Sequence, residues 1–220
     1  MFVSKWMSTK VITVDKNESL GAALRLMKEN RIRRLPVLSD GKLVGIVSDR
    51  DLKGALPSKA TALDVWELHS LIDNIKVADI MTKNVITTTP DATIERVALT
   101  MMERKIEGLP VIDEKGNLVG IVTEGDVFRA LIEVTGVRRK STRISLPIPD
   151  KPGTILGVAD MVRAKGGRIF SILTTQAKAP DGMRELVMRI QITDEKAAEL
   201  KKELTARYGP VSVLTDSETA

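Results

Sequence analysis

The chain has 220 residues, enough for one large domain or two ordinary ones, and its 43% apolar and 29% charged residues suit a folded core. It holds no cysteine and one histidine, His69, which excludes disulfide frameworks, thiolate zinc sites, cysteine nucleophiles and multi-histidine metal centres. A formal net charge of +5 permits a polyanionic partner without requiring one. No apolar run reaches the roughly eighteen residues of a transmembrane helix. Met1 to Trp6 lacks the features of a signal peptide, so a soluble cytoplasmic protein without membrane association is expected.

Read in chain order, the sequence repeats itself. Residues 7–52 align with 81–127 once Lys115 is treated as an insertion. Met7 matches Met81, Val11-Ile12-Thr13 matches Val85-Ile86-Thr87, and Leu35-Pro36-Val37 matches Leu109-Pro110-Val111. The run Leu43 to Val47 returns as Leu118 to Val122, and Asp51 returns as Asp126. Each copy reads as a short strand (Val11–Val14, Val85–Thr88), a helix capped by Ser19 or Thr93, a strand pair, and a second helix opened by Asp51 or Asp126. Ser39-Asp40-Gly41-Lys42 is a hairpin turn sequence. Such a β-α-β-β-α unit of about 50 residues is too small to close a core alone, so the two copies are expected to pack face to face. Asp64 to Asp73, with Leu63, Trp66, Leu68 and Leu71 nearby, reads as a helix bridging them.

After Gly136 the pattern changes. Val137 to Ser141 is basic and polar and reads as a linker, after which no third copy appears. Instead come a strand (142–148), a turn through Pro152-Gly153, and a helix with Ile155, Leu156, Ala159 and Val162 on one face. Strands over 168–175 and 185–192, a helix from Asp194 to Tyr208 and a strand over 211–214 complete β-α-β-β-α-β, the ferredoxin-like order. The expected division is 1–74, 75–136, a linker over 137–142, and 143–220.

The residues with most chemical content are Gly45-Ile-Val-Ser-Asp-Arg-Asp51 and Gly120-Ile-Val-Thr-Glu-Gly-Asp126. A hydroxyl three residues before a carboxylate, between strand and helix, can hold a nucleotide: the hydroxyl and helix amides meet phosphate, and the carboxylate accepts from the ribose hydroxyls. Ser48, Thr123, Asp51 and Asp126 are equally good helix caps, and duplication of a structure duplicates its caps.

The paired methionines, the Leu-Pro-Val strands and the Gly-Ile-Val-(Ser/Thr)-x-x-Asp ends resemble CBS domains, and the pair resembles a Bateman module. The resemblance implies clefts between the copies for AMP, ADP, ATP or an S-adenosyl compound. Ser48 and Thr123 would then touch phosphate, Asp51 and Asp126 the ribose, and the backbone around Ile12-Thr13 and Ile86-Thr87 the adenine. Arg50, with Arg31, Arg33 and Arg34 ahead of the second strand, would draw a polyphosphate to the first site, since guanidinium forks match phosphate oxygens. Alternatively these arginines form a solvated face. Glu124, Gly125, Glu107 and Gly108 stand at the matching places of the second, which leaves it Lys105 as its main cation and suits a less charged ligand.

Residues 143–215 resemble an ACT domain through Asp150-Lys151-Pro152-Gly153 and the strand order. That family implies amino-acid binding before the first helix, here at Asp150, Pro152, Gly153 and Thr154, and a plain turn is the alternative. The whole arrangement, α+β with a tandem CBS pair and a ferredoxin-like ACT domain, is similar to acetoin-utilisation-type regulatory proteins. It implies a homodimer coupling nucleotide and amino-acid signals to an effector protein by allosteric regulation. No Walker loop or paired histidine–carboxylate spacing is present, so no enzyme activity, required cofactor or metal is expected. Arg138-Arg139-Lys140 lacks interleaved aromatics, which makes nucleic acid the disfavoured partner. The alternatives are a nucleic-acid-binding regulator or the regulatory subunit of an unidentified enzyme.

Overall fold

Turn chemistry explains the first hairpin. Asp40 and Gly41 both have positive φ (52° and 76°), the mirror-image turn that suits strand twist, and they join β2 (Arg34–Ser39) to β3 (Lys42–Ser48). In the second copy Lys115 lengthens the connection between β4 (Gly108–Ile112) and β5 (Leu118–Thr123). There the Asp113 carboxylate accepts from the backbone N–H groups of Lys115 (2.9 Å) and Asn117 (2.8 Å), an Asx-type turn in place of the tight one.

The computed structural model describes residues 1–56, 72–177 and 179–215 and divides into two units, Met1–Phe128 and Arg129–Ala220. The stretch read as a bridging helix, together with His69, falls almost wholly in 57–71, outside the described residues.

In the first unit, α1 (Leu20–Asn30) starts at Ser19, whose side chain accepts from the Ala22 N–H, and α4 (Ile94–Arg104) starts at Thr93, which accepts from the Arg96 N–H. α2 (Asp49–Gly54) follows β3, and α3 (Val77–Ile80) precedes the second copy. Leu20, Ala23 and Met27 of α1 are buried with Leu35, Val37, Val47 and Leu52 in one cluster. On α4, Val97 and Met101 are buried, whereas Met102, an apolar residue of the same helix, is 72% exposed because it lies one residue off that stripe. The expected first strands shrink. Only β1 (Val14–Asp15) pairs, in parallel with Val37–Leu38, and in the second copy a single bridge joins Thr88 to Val111.

The copies exchange edges. Thr82 of the second copy pairs with Ile46 of the first, and Ser8 of the first pairs with Ile121 of the second. Small residues permit this: a side chain on Gly45 would meet Met81, and one on Gly120 would meet Met7.

The second unit takes in the end of α5 (Glu124–Thr135), so the division falls inside that helix rather than at the basic segment 137–142. That segment is not wholly solvated, since Ser141 and Thr142 are buried and the Arg139 guanidinium lies over the Phe170 ring at 5.1 Å. Four antiparallel strands follow: β6 (Thr142–Pro149), β7 (Arg168–Thr175), β8 (Met183–Gln191) and β9 (Ser212–Thr215). Their order is β7-β8-β6-β9, the ferredoxin-like topology, with α6 (Thr154–Ala164) and α7 (Asp194–Tyr208) as the crossovers. Val158, Ala159 and Val162 of α6 pack with Leu200 and Leu204 of α7 and with Ile144, Leu146, Leu186 and Met188 of the sheet. Leu156, read as part of that face, is 61% exposed, because the buried stripe runs through Ile155 and Val158.

Among the described residues no helix is long and apolar enough to cross a membrane, and no cluster of His, Asp or Glu could hold a metal ion.

Candidate functional site

The first motif is built as a reciprocal cap. Asp51 Oδ2 accepts from the Ser48 backbone N–H (2.8 Å) and the Ser48 hydroxyl (2.6 Å), and the Ser48 oxygen accepts from the Asp51 N–H (3.2 Å). Thr123 and Asp126 repeat the carboxylate half of it, with the Thr123 N–H and hydroxyl both donating to Asp126 Oδ2 at 2.7 Å. Ser48 and Asp51 thus form a complete capping box, and in both copies the bonds hold the carboxylate in a set orientation.

Ser48, Arg50 and Asp51 line a cleft of about 290 Å³ with Arg34, Ile46 and Asp49. The opposite wall comes from the second copy and comprises Thr82, Asn84, Val85, Ile86, Lys105, Ile106 and Glu107. Of the residues expected to hold a nucleotide, Arg34, Ser48, Arg50, Asp51 and Ile86 thus meet in one place. Ile12, Thr13, Thr87, Gly108, Thr123 and Asp126 are not among its walls. Ile12 packs against the first core cluster, and Gly108 is buried in β4.

The charge expectation needs correction. Arg31 and Arg33 do not line this cleft, while Lys105 and Glu107, assigned from sequence to the other site, do. The cause is the exchange of edges, because pairing Ile46 with Thr82 sets the second copy's segments against the first copy's motif. Sequence reading also missed Thr82 and Asn84. The one available signal is that Ser8 and Thr82 are both hydroxyl residues directly after the repeated methionines.

Glu107 is the centre of the electrostatics. Arg34 donates to it and forms a close ion pair, and Arg50 reaches it at 4.0 Å. The hydrogen bond from Arg34, then its charge, hold the Glu107 carboxyl below its ordinary value of 4.5, with Arg50 and Arg33 adding to the effect. Asp49 is likewise held low, first by the hydrogen bond from Lys53. A depressed carboxylate contributes to stability fully above its unfolded pKa, and the contribution is lost as pH falls through the folded value. The Arg34–Glu107 pair should therefore persist at neutral pH and open below about pH 4.5. A side-chain NMR titration of Glu107 should give a midpoint below 4.5 that moves up in Arg34→Ala.

In the second unit, Pro149, Asp150, Lys151, Pro152, Gly153, Ile155 and Arg184 line a cavity of about 300 Å³. Asp150 pairs with Arg184 (2.6 Å) and accepts from Gln176. Gly153 has φ 84° at the start of α6, a conformation that glycine adopts without strain. Thr154 turns its hydroxyl to the Lys151 carbonyl (3.0 Å) and is not among the cavity's walls. Sequence reading missed Arg184, whose buried Nε has no hydrogen-bond partner among the described residues.

Two repeats that swap edges, with the strand–hydroxyl–carboxylate motif of the first facing segments of the second across one cleft, define a tandem module. The CBS domain model matches residues 3–58 and 77–133, just over half of the chain, and the chain belongs to the CBS-domain family. It is 36% identical over 141 residues to a CBS domain-containing protein of Dictyostelium discoideum, covering 61% of this chain and 93% of that one. It is 39% identical over 135 residues to an uncharacterised protein of Methanocaldococcus jannaschii, spanning 60% of this chain but 45% of the relative. An inosine-5′-monophosphate dehydrogenase of Korarchaeum cryptofilum is 38% identical over 155 residues, 70% of this chain and 28% of the enzyme. Among solved structures, a CBS domain pair in complex with 5′-methylthioadenosine and S-adenosyl-L-methionine is 31% identical with a TM-score of 0.50, covering 63% of this chain and 98% of that one. CBSX2 in complex with AMP is 33% identical with a TM-score of 0.52, covering 60% and 97%.

Proposed function

We propose that the protein is a non-catalytic sensor that binds an adenine nucleotide or an S-adenosyl compound in its CBS pair and passes the bound state to an effector protein. One observation carries this reading: the Ser48–Asp51 motif and the 82–86 segment face each other across a cleft of ligand size. Asp51 would accept from the ribose hydroxyls, the cations Arg34, Arg50 and Lys105 would meet phosphate, and Val85 and Ile86 would flank the base. The ligands of the two solved relatives support the choice of adenosine compounds. By the repeat, Thr123 and Asp126 would serve a second cleft with Ile12 and Thr13.

The second unit is read as an ACT-type module. The unpartnered Arg184 Nε, with Asp150 bracing the same guanidinium, favours a ligand bearing a carboxylate, as an amino acid does. A homodimer is the expected assembly. A cytoplasmic regulatory subunit of a separate enzyme is the second reading, because one matching segment forms 28% of a dehydrogenase.

Thermal-shift measurements with ATP, ADP, AMP, NAD, S-adenosylmethionine and the amino acids test the sensor. A ligand at a hundred times its Kd should stabilise the unit that binds it by about 2.7 kcal/mol. No shift with any adenosine compound would overturn the proposal, and turnover of any of them would overturn its non-catalytic part.

A further inference from the structure

The walls of the Ser48 cleft carry three cationic side chains, Arg34, Arg50 and Lys105, and three anionic ones, Asp49, Asp51 and Glu107. They are formally neutral, and the two arginines that could grip a phosphate chain both face Glu107. The arrangement depends on an asymmetry between the copies. Arg34 of the first copy stands where the second has Gly108, and a side chain on Gly108 would sit 3.2 Å from Arg34 Cδ. The missing side chain leaves room for the arginine stem to cross to Glu107, which itself stands where the first copy has Arg33.

Resting on the reading of this cleft as an adenosine site, we infer that Glu107 is its specificity residue: it occupies the phosphate-binding arginines and selects adenosine compounds without a polyphosphate chain. A triphosphate must displace Glu107 from Arg34 and Arg50 and then lie beside its charge, two costs that grow with the number of phosphates. An uncharged 5′ thioether leaves the ion pair in place and loses nothing. The preference therefore follows from a carboxylate contributed by the copy opposite the motif, reversing what the arginine-rich sequence around Arg34 suggests.

The test is isothermal titration of the full chain carrying Asp126→Ala, which silences the second cleft, with and without Glu107→Gln. The probes are ATP and 5′-methylthioadenosine. With Glu107 present, methylthioadenosine should bind at least about tenfold tighter than ATP. Glu107→Gln should tighten ATP by about tenfold and leave methylthioadenosine within about twofold, the scale of one charge in a half-exposed site. Glu107 is partly exposed, so the variant should fold, and an unchanged far-UV CD melt checks this. Binding of both probes with a ratio that Glu107→Gln does not move would overturn the inference alone. Binding of neither probe would overturn the adenosine-site reading and the inference with it.

Discussion

Replacing Asp51 with alanine should weaken adenosine-ligand binding by about a hundredfold and cost about 1 kcal/mol of fold stability. The two effects have separate causes. Asp51 Oδ2 accepts both the N–H and the hydroxyl of Ser48, so its loss removes the carboxylate half of the capping box of α2 while the Ser48 oxygen still accepts from the residue-51 N–H. About 1 kcal/mol is the scale of such a change. On the proposed reading the affinity loss would come from the ribose, because a hydrogen bond to a charged acceptor contributes about 1.5–3 kcal/mol and a carboxylate can accept two. Asp51→Asn separates them: an amide oxygen can still accept from Ser48, so stability should largely return while the charged acceptor for ribose stays missing. Calorimetric titration and chemical denaturation of the same samples report both quantities. An Asp51→Ala chain that folds and binds unchanged would reduce the carboxylate to a cap and remove the nucleotide role from the motif.

Leu146→Ala should destabilise the second unit strongly, by about 2–5 kcal/mol. Leu146 is 1% exposed, lies opposite Leu186 across β6 and β8, and belongs to the cluster that both crossover helices cover. Truncation leaves a cavity in a close-packed layer that the sheet register prevents from collapsing. A domain of this size has about 5–15 kcal/mol in total, so a third or more of its margin could go. Leu156→Ala is the control. Its side chain is 61% exposed, and its effect should stay within about 0.5 kcal/mol. Urea unfolding followed by far-UV CD measures both. Similar losses for the two variants would mean that the helix face is not the one described.

The division between what was legible and what was not follows interaction range. Caps, turns and periodicity act over a few residues. The starts of α1 and α4 at Ser19 and Thr93, the Asp40-Gly41 turn and the β-α-β-β-α-β order of the second half are accordingly readable from the chain. The duplication is readable for another reason, since two similar sequences must fill similar cores. Which residue of a helical stripe faces inward is less secure. Leu156 and Met102 fit the apolar pattern but stand one position off it, and only packing decides between neighbours.

The cleft lies beyond such reading because its walls are far apart in sequence. Arg34 and Glu107 are separated by 73 positions, and Asp150 and Arg184 meet through the register of β6 and β8. By itself the sequence determined that this protein is a tandem repeat followed by a ferredoxin-like unit, and that each repeat ends in a hydroxyl–carboxylate motif. Only the tertiary structure decided that the copies exchange edges through Ile46–Thr82 and Ser8–Ile121. That exchange sets Glu107 against the arginines of the first motif, because the charge facing a ligand is the sum over residues that folding brings together, whatever their distance along the chain.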